Sequence, residues 1–155
     1  MPSLRRPLTF SSLSDIPPDI ARLLPDHTTV GQWSLAQILS HLTFTLTSSL
    51  DGFPGLSLPR PLQLTLGRYA LARLLRKNRI PERFPLPRRF QPAPHLDLPT
   101  ESSRFSSTLA RYLSHTTPLA PHPLFGPIPR PNYDRYHAIH IAHHLSFAIP
   151  MRLPK

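Results

Sequence analysis

The sequence predicts an all-α fold, a helical bundle whose helices are connected by proline-rich loops. Apolar residues recur at helical spacing in four longer segments and one short one. The 22 prolines cluster between those segments, where they end one helix and precede the next. No segment shows the apolar–polar alternation of a half-buried strand. An up-and-down or crossover bundle buries such apolar stripes.

The N-terminal part is predicted to contain a lead-in and a short helix. Residues 1–11 show no helical pattern and are expected to form a flexible lead-in. A helix follows over about residues 13–24. Asp15 is its predicted N-cap, and Pro17 lies in its first turn, where no amide hydrogen bond is lost.

The second helix has the clearest pattern. It is predicted to run from Ser34, a good N-cap, to about Leu50, and Gly52 follows as a terminator. Its apolar residues recur at helical spacing: Leu35, Ile38, Leu39, Leu42 and Leu46. His41 lies at the edge of this stripe and not on the opposite, solvent-facing side.

Three further helices complete the predicted order. The third covers about residues 62–77 and has a basic flank, and an irregular proline-rich arm follows over 80–99. The fourth covers about 100–115, and the last covers about 132–148, before a tail over 151–155. The inward positions predicted for the third helix are Leu64, Leu71, Leu74 and Leu75.

Length and composition indicate the class of protein. The 155 residues most simply form one helical domain over 12–150. The absence of cysteine excludes disulfides, thiolate metal ligands and a cysteine nucleophile. No window approaches the ~18 apolar residues of a spanning helix, and no apolar stretch follows the basic N-terminus. We therefore expect a cytoplasmic protein without membrane association, and a homodimer is left open.

The charge balance raises the question of an anionic partner. The formal net charge is +10, and lysine supplies only Lys77 and Lys155 of the 18 basic residues. Such an excess is typical of proteins that bind nucleic acid or another anion. Arginine richness also follows from GC-rich coding, and the basic third helix has no aromatic residues interleaved on one face for base stacking. Nucleic acid is therefore not favoured as a partner, and a small-molecule substrate is expected.

The last helix carries histidines that share one face. At about 100° per residue, with His140 at zero, His144 falls at about +40° and His137 at about +60°. His143 falls at about −60° and points away. Since the first three lie on the stripe that also holds apolar residues, they are predicted to face the core.

Two histidines one helical turn apart can hold one transition metal, and a third from a facing helix would complete the site. His140 and His144 have this spacing, and His41 is the candidate third ligand. An all-nitrogen site suits zinc, nickel or another late transition metal. The alternative is that these are buried histidines with ordinary hydrogen-bond partners in the core.

Other reaction chemistry has little support in the sequence. There is no glycine-rich phosphate loop, no G-x-S-x-G elbow, and no glutamate to make the histidine pair an H-E-x-x-H motif. The remaining histidines fall in or beside loops and are interpreted as solvated or capping residues: His27, His95, His115 and His122.

Several segments of the chain carry motifs that are similar to those of one known superfamily. The second helix and the turn after it carry Trp33 to Leu42 and then Asp51 to Pro54. The later segments are Arg79-Ile80-Pro81 through Leu86-Pro87, His122 to Pro127, and the helix with His137, His140 and His144 to Phe147. These motifs resemble the DinB/YfiT-like superfamily, and in particular a bacterial branch of unknown function, over about residues 12–150. Asn132-Tyr133 departs from that branch, where an acidic residue precedes a tryptophan.

The resemblance implies a DinB-like four-helix bundle with a metal site. In the superfamily one histidine of the second helix and a His-x-x-x-His pair of the last helix hold the metal, and the matching positions here are His41, His140 and His144. Relatives include hydrolase-like members, and transferases and isomerases that use low-molecular-weight thiols. The branch itself implies no settled reaction.

The leading hypothesis is a metal-dependent enzyme of hydrolase or thiol-dependent transferase type. Zinc or nickel would be held by His41, His140 and His144 with an open position for water, and a low-molecular-weight thiol is a candidate cofactor. His137 is the candidate catalytic residue, as a fourth ligand, a general base or a partner of a ligand. The alternative is a non-catalytic basic helical module that binds nucleic acid or another anionic partner.

Overall fold

The computed structural model describes residues 5–81 and 88–151, and helices make up most of this part. The helices are α1 (Ile16–Leu23), α2 (Leu35–Asp51), α3 (Arg60–Leu62), α4 (Arg68–Lys77), α5 (Leu98–Ser114) and α6 (Arg130–Leu145). A π-helical turn over Gln63–Gly67 joins α3 to α4, and 3₁₀ turns cover Leu13–Asp15 and Arg88–Phe90. The mostly helical architecture confirms the all-α prediction.

One small sheet was not predicted. Strand β1 (His27–Thr29) pairs antiparallel with β2 (Ala148–Pro150), and Thr29 lies opposite Ala148. Three-residue strands are too short to show an alternating pattern in the sequence. The last helix was predicted to reach about residue 148, which is wrong because α6 ends at Leu145 and the chain turns into β2.

The main core lies among α1, α2, α5 and α6, with α2 packed closely on α5. Its large fully buried side chains come from the apolar stripes of these helices: Ile16, Leu23, Leu35, Ile38, Leu39, Leu42, Leu46, Phe105, Tyr112, Ile141 and Leu145. Three residues of this list, Leu42, Ile141 and Leu145, lie next in sequence to histidines of α2 and α6. Core packing therefore fixes the backbone that carries those histidines.

The start of α2 agrees with its prediction. The Ser34 hydroxyl accepts the backbone N–H of Gln37, and the Gln37 side chain accepts the backbone N–H of Ser34. This reciprocal capping box satisfies two amide groups that the first turn would otherwise leave unpaired. At the other end Gly52 takes a φ of +109°, a conformation that glycine adopts without strain.

Two other caps differ from the predictions. Asp15 lies at the N-cap position of α1 as predicted, but its side chain makes no cap hydrogen bond there. Ser12 caps the 3₁₀ turn before α1, since the Ser12 hydroxyl accepts the Ser14 N–H. The Asp15 carboxylate instead accepts the backbone N–H of Ser12. Helix α5 begins slightly earlier than predicted because Asp97 caps it by accepting the Thr100 N–H.

The helical segment from Arg60 packs on α6 and on the loop before it through a second apolar cluster: Leu71, Leu75, Phe125, Ile128, Tyr133, Tyr136 and Ile139. Leu71 and Leu75 are buried as predicted, and Leu74 is partly buried. Leu64 was predicted to face inward, which is wrong: its side chain is 42% exposed. The prediction assumed α-helical spacing throughout. The π-helical turn over Gln63–Gly67 contains one residue more than an α-helical turn, so it changes which side chains face the core.

The predicted boundaries of the domain stay predictions. Residues 1–4 of the predicted lead-in and 152–155 of the predicted tail lie outside the described residues, as do residues 82–87 of the arm. Arg6 is anchored, because its guanidinium forms two hydrogen bonds with Asp19. No helix in the described part of the chain is both long and apolar enough to cross a membrane.

Candidate metal centre

Two helices bring three histidines together in the core. His140 and His144 lie one turn apart on α6, and His41 lies on α2. Leu42 beside His41 and Ile141 beside His140 are completely buried. His41 is 3% exposed and His140 is 8% exposed, so the group lies just beneath the surface and not at the centre of the bundle.

The ring nitrogens of the three histidines face one another. The Nε2 atom of His140 lies 3.4 Å from Nε2 of His41 and 3.1 Å from Nε2 of His144. One ligand atom from each residue lies within 4.8 Å of the other two. Among the described residues, this group of His41, His140 and His144 is the one that can hold a metal ion.

These separations match those of metal ligands. Two nitrogens about 2.0–2.1 Å from a tetrahedral zinc ion lie about 3.3 Å apart. The two measured Nε2 separations, 3.1 and 3.4 Å, bracket that value. A donor set of three imidazoles and no carboxylate fits zinc or nickel better than magnesium or calcium, so the residues present fit the metals expected from the sequence.

A backbone contact assigns the tautomer of His41. Its Nδ1 atom lies 3.1 Å from the carbonyl oxygen of Phe90, and a carbonyl can only accept, so Nδ1 carries the proton. Neutral His41 therefore presents an unprotonated Nε2 to the group. Metal-binding histidines are commonly oriented by such a contact on the second ring nitrogen. No such partner exists among the described residues for Nδ1 of His140, which is buried without a hydrogen bond.

Burial keeps the three rings neutral at physiological pH. Desolvation is the main cause that lowers the pKa of His41, with a smaller opposing effect of the Phe90 carbonyl. The pKa values of His140 and His144 lie well below the usual value because of burial and then repulsion from neighbouring histidines. A neutral imidazole is the form that binds a metal.

Trp33 covers one side of the group. Its ring stacks on His144 at 5.5 Å between centroids and an interplanar angle of 11°. The same indole lies 5.1 Å from the ring of His41. In the sequence, Trp33 was only part of a resemblance, and its contact with the histidines was not predicted. The available signal was the position of Trp33 directly before Ser34, the N-cap of the helix that carries His41.

His137 and His143 lie outside the three-histidine group. His137 is completely buried, and its Nε2 atom lies 2.8 Å from the hydroxyl oxygen of Ser49. Its ring stacks on Tyr133. His143 contacts Arg5 through Nδ1 at 3.3 Å, on the side that the helical-wheel argument predicted. Neither residue belongs to the group of candidate ligands, although the ring of His143 lies 4.9 Å from that of His144, and the catalytic role of His137 stays a prediction.

The loop histidines divide into two kinds. His27 caps α1 as predicted, since its Nδ1 atom lies 2.8 Å from the Leu23 carbonyl oxygen. For His122 the prediction of a solvated or capping residue is wrong, because the side chain is buried and 6% exposed. Burial lowers its pKa to about 3. The apolar residues that follow it, Leu124 and Phe125, were the signal that this loop packs inward.

Fold and site together define a mostly helical protein with a buried three-histidine group. Comparison with known families gives the identification: residues 3–151 match the family described as a protein of unknown function, DUF1569, and the chain belongs to that family. No curated protein and no solved structure matches the chain. The family description names no activity, so a functional conclusion depends on the site.

Proposed function

We propose that this protein is a metal-dependent enzyme related to the DinB/YfiT-like superfamily, with a four-helix bundle that carries its metal site. His41, His140 and His144 would hold a divalent transition metal, zinc or nickel. The observation that carries the proposal is the convergence of three Nε2 atoms from two helices at separations of 3.1 and 3.4 Å. When bound, such a metal lowers the pKa of a bound water and polarises carbonyl or thiol groups.

The surrounding residues orient the ligands. The Phe90 carbonyl fixes the His41 ring, and the indole of Trp33 stacks against His144 and limits access of water on that side. Three protein ligands leave a coordination position for water or substrate, as in catalytic zinc sites. This arrangement supports a hydrolase or a thiol-dependent transferase that acts on a small molecule in the cytoplasm, with a low-molecular-weight thiol as a candidate cofactor.

His137 has a more distant role in this proposal. Its contact with Ser49 links α6 to α2 beside the centre, and its Nδ1 atom is buried without a hydrogen bond. We propose that His137 supports catalysis by holding the backbone of His140 and His41 in register. A variant His137→Gln would then lose metal affinity and stability together, whereas a catalytic base would lose activity alone.

Metal analysis of untagged protein tests the proposal. The protein is incubated with zinc, nickel or manganese, freed of loose metal and measured for bound metal per chain. We expect one equivalent of zinc or nickel for the wild type and a large loss for His140→Ala. The variant His143→Ala is the matched control, because it removes the neighbouring histidine outside the group. A wild-type chain that stays metal-free would overturn the proposal.

A basic binding module is the second candidate, and one segment of the chain favours it. The segment 60–79 carries six cations and no acidic residue, and all six are exposed: Arg60, Arg68, Arg73, Arg76, Lys77 and Arg79. Such a run of exposed cations attracts nucleic acid or another polyanion. Binding to a labelled oligonucleotide at 50 and 200 mM salt tests this candidate. If the cations contact phosphates, the affinity should fall steeply between the two salt concentrations. No binding at low salt would remove this candidate.

A further inference from the structure

A tight loop places His122 beside α6. The backbone N–H of His122 donates to the Gly126 carbonyl at 2.9 Å, and the Gly126 N–H donates back at 2.8 Å. Gly126 has a φ of +70°, which favours glycine at this turn. The loop folds the His122 ring against Phe125, with 4.4 Å between centroids. His122 is thus a fixed, buried residue that the proposed metal centre does not use.

Its hydrogen bonds assign the tautomer of His122. The backbone N–H of Leu124 donates to Nδ1 of His122 at 3.2 Å, so Nδ1 is unprotonated. Burial keeps the ring neutral by lowering its pKa, and the single ring proton is therefore on Nε2. That Nε2–H donates to the hydroxyl oxygen of Tyr136 at 3.3 Å.

This assignment determines what the Tyr136 hydroxyl can do. Its oxygen accepts from His122, so its own hydrogen has no acceptor among the residues that the structure describes. Tyr136 is 9% exposed, and a shielded hydroxyl hydrogen without an acceptor costs free energy, which calls for a missing partner. A ligand or a water molecule is the kind of partner that the described protein atoms do not supply.

Tyr136 adjoins the three-histidine group. Its ring stacks on that of His140 at 5.7 Å between centroids and an interplanar angle of 10°. The two residues are one turn apart on α6 and share a face. His144 follows His140 by one turn and is covered by Trp33, whereas Tyr136 precedes His140 by one turn, so the Tyr136 ring and the indole contact different histidines of the group. The rings of Phe53 and Phe125 lie against His122 and make the surroundings of the His122–Tyr136 contact apolar.

We propose that the Tyr136 hydroxyl, oriented by His122, donates a hydrogen bond to a small carboxylate ligand of the three-histidine centre. This inference rests on the proposed function, because the ligand would place one oxygen at the metal. Its second oxygen would accept from Tyr136, and its apolar body would lie against the aromatic rings. Tyr136 would then select ligands that have two acceptor oxygens over ligands that have a single donor atom.

Cobalt-substituted protein provides a test with a readout other than activity. Acetate and chloride are titrated separately into cobalt-loaded protein, and the visible absorption of cobalt reports the affinity for each anion. The variant Tyr136→Phe keeps the stacked ring and removes only the hydroxyl. We expect it to bind acetate roughly five- to tenfold more weakly, the usual effect of one lost hydrogen bond, with chloride affinity unchanged. The matched control is Tyr69→Phe, since Tyr69 is 64% exposed.

The possible results of this titration lead to different conclusions. Selective loss of acetate binding in Tyr136→Phe supports the inference. Unchanged acetate affinity overturns it while leaving the metal site intact, and equal loss of acetate and chloride overturns it by showing a disturbed centre. If the wild type binds no cobalt, the proposed function fails, and this inference fails with it.

Discussion

Buried His122 should make the stability of this protein sensitive to acid. The perturbation is His122→Asn, which removes a titrating ring from the loop before α6. The pKa of His122 is lowered to about 3 in the folded protein, against about 6.5 in an unfolded chain. Below pH 6.5 the unfolded chain therefore takes up a proton that the folded protein does not, and stability falls as the pH decreases from 6.5 towards 3.

The magnitude follows from this difference in pKa. Between pH 7.5 and pH 5.0 His122 alone should remove about 2 kcal/mol from the free energy of unfolding. Urea unfolding in the presence of a chelator, followed by circular dichroism at both pH values, measures the loss. The variant His122→Asn starts from a lower stability at pH 7.5 but should lose about 2 kcal/mol less than the wild type over this range.

The test compares how the free energy of unfolding changes with pH in the wild type and in the variants. A variant at exposed His95, His95→Asn, should show the same loss as the wild type. If His122→Asn also loses as much as the wild type, then His122 is protonated in the folded protein at pH 5. The tautomer assignment that links Leu124, His122 and Tyr136 would then be incorrect at that pH.

Three further changes test other parts of the account. Gly67→Ala should destabilise the protein by about 1–3 kcal/mol, because a Cβ there collides with the Leu124 carbonyl oxygen; equal urea midpoints would contradict this packing. Ser34→Ala should lower the free energy of unfolding by about 1 kcal/mol, because the N-cap of α2 is lost. Ser14→Ala is the control in the same unfolding assay. Titration with Co²⁺ should quench the fluorescence of Trp33, the single tryptophan, since it stacks on His144; quenching that persists in His140→Ala would place the metal elsewhere.

The sequence was sufficient to predict how the candidate ligands are grouped. The four-residue spacing of His140 and His144 on an apolar stripe, together with the inward edge position of His41, predicted that the three side chains would lie close together, and their Nε2 atoms do. The same angular argument placed His143 to the side. It also placed His137 on the buried face but could not show that Ser49 would be its partner, because that contact depends on the relative positions of two helices.

Features that depend on loops and on backbone atoms could not be predicted in this way. The carbonyl that orients His41 belongs to Phe90 in an irregular segment, and no residue pattern specifies a backbone acceptor. Burial of His122 depends on the turn closed at Gly126, which periodicity does not detect. The pairing of β1 with β2 joins two segments of three residues that are distant in sequence, and such short strands carry no recognisable pattern.

Anomalous diffraction from zinc-soaked crystals is the most direct test of the metal centre. We predict one strong peak about 2.0–2.2 Å from the Nε2 atoms of His41, His140 and His144, with a fourth position taken by water or an anion. His41→Ala crystals treated in the same way should lose this peak or show it much weakened. A peak bound elsewhere, or a wild-type His41 ring turned away from the other two, would contradict the account.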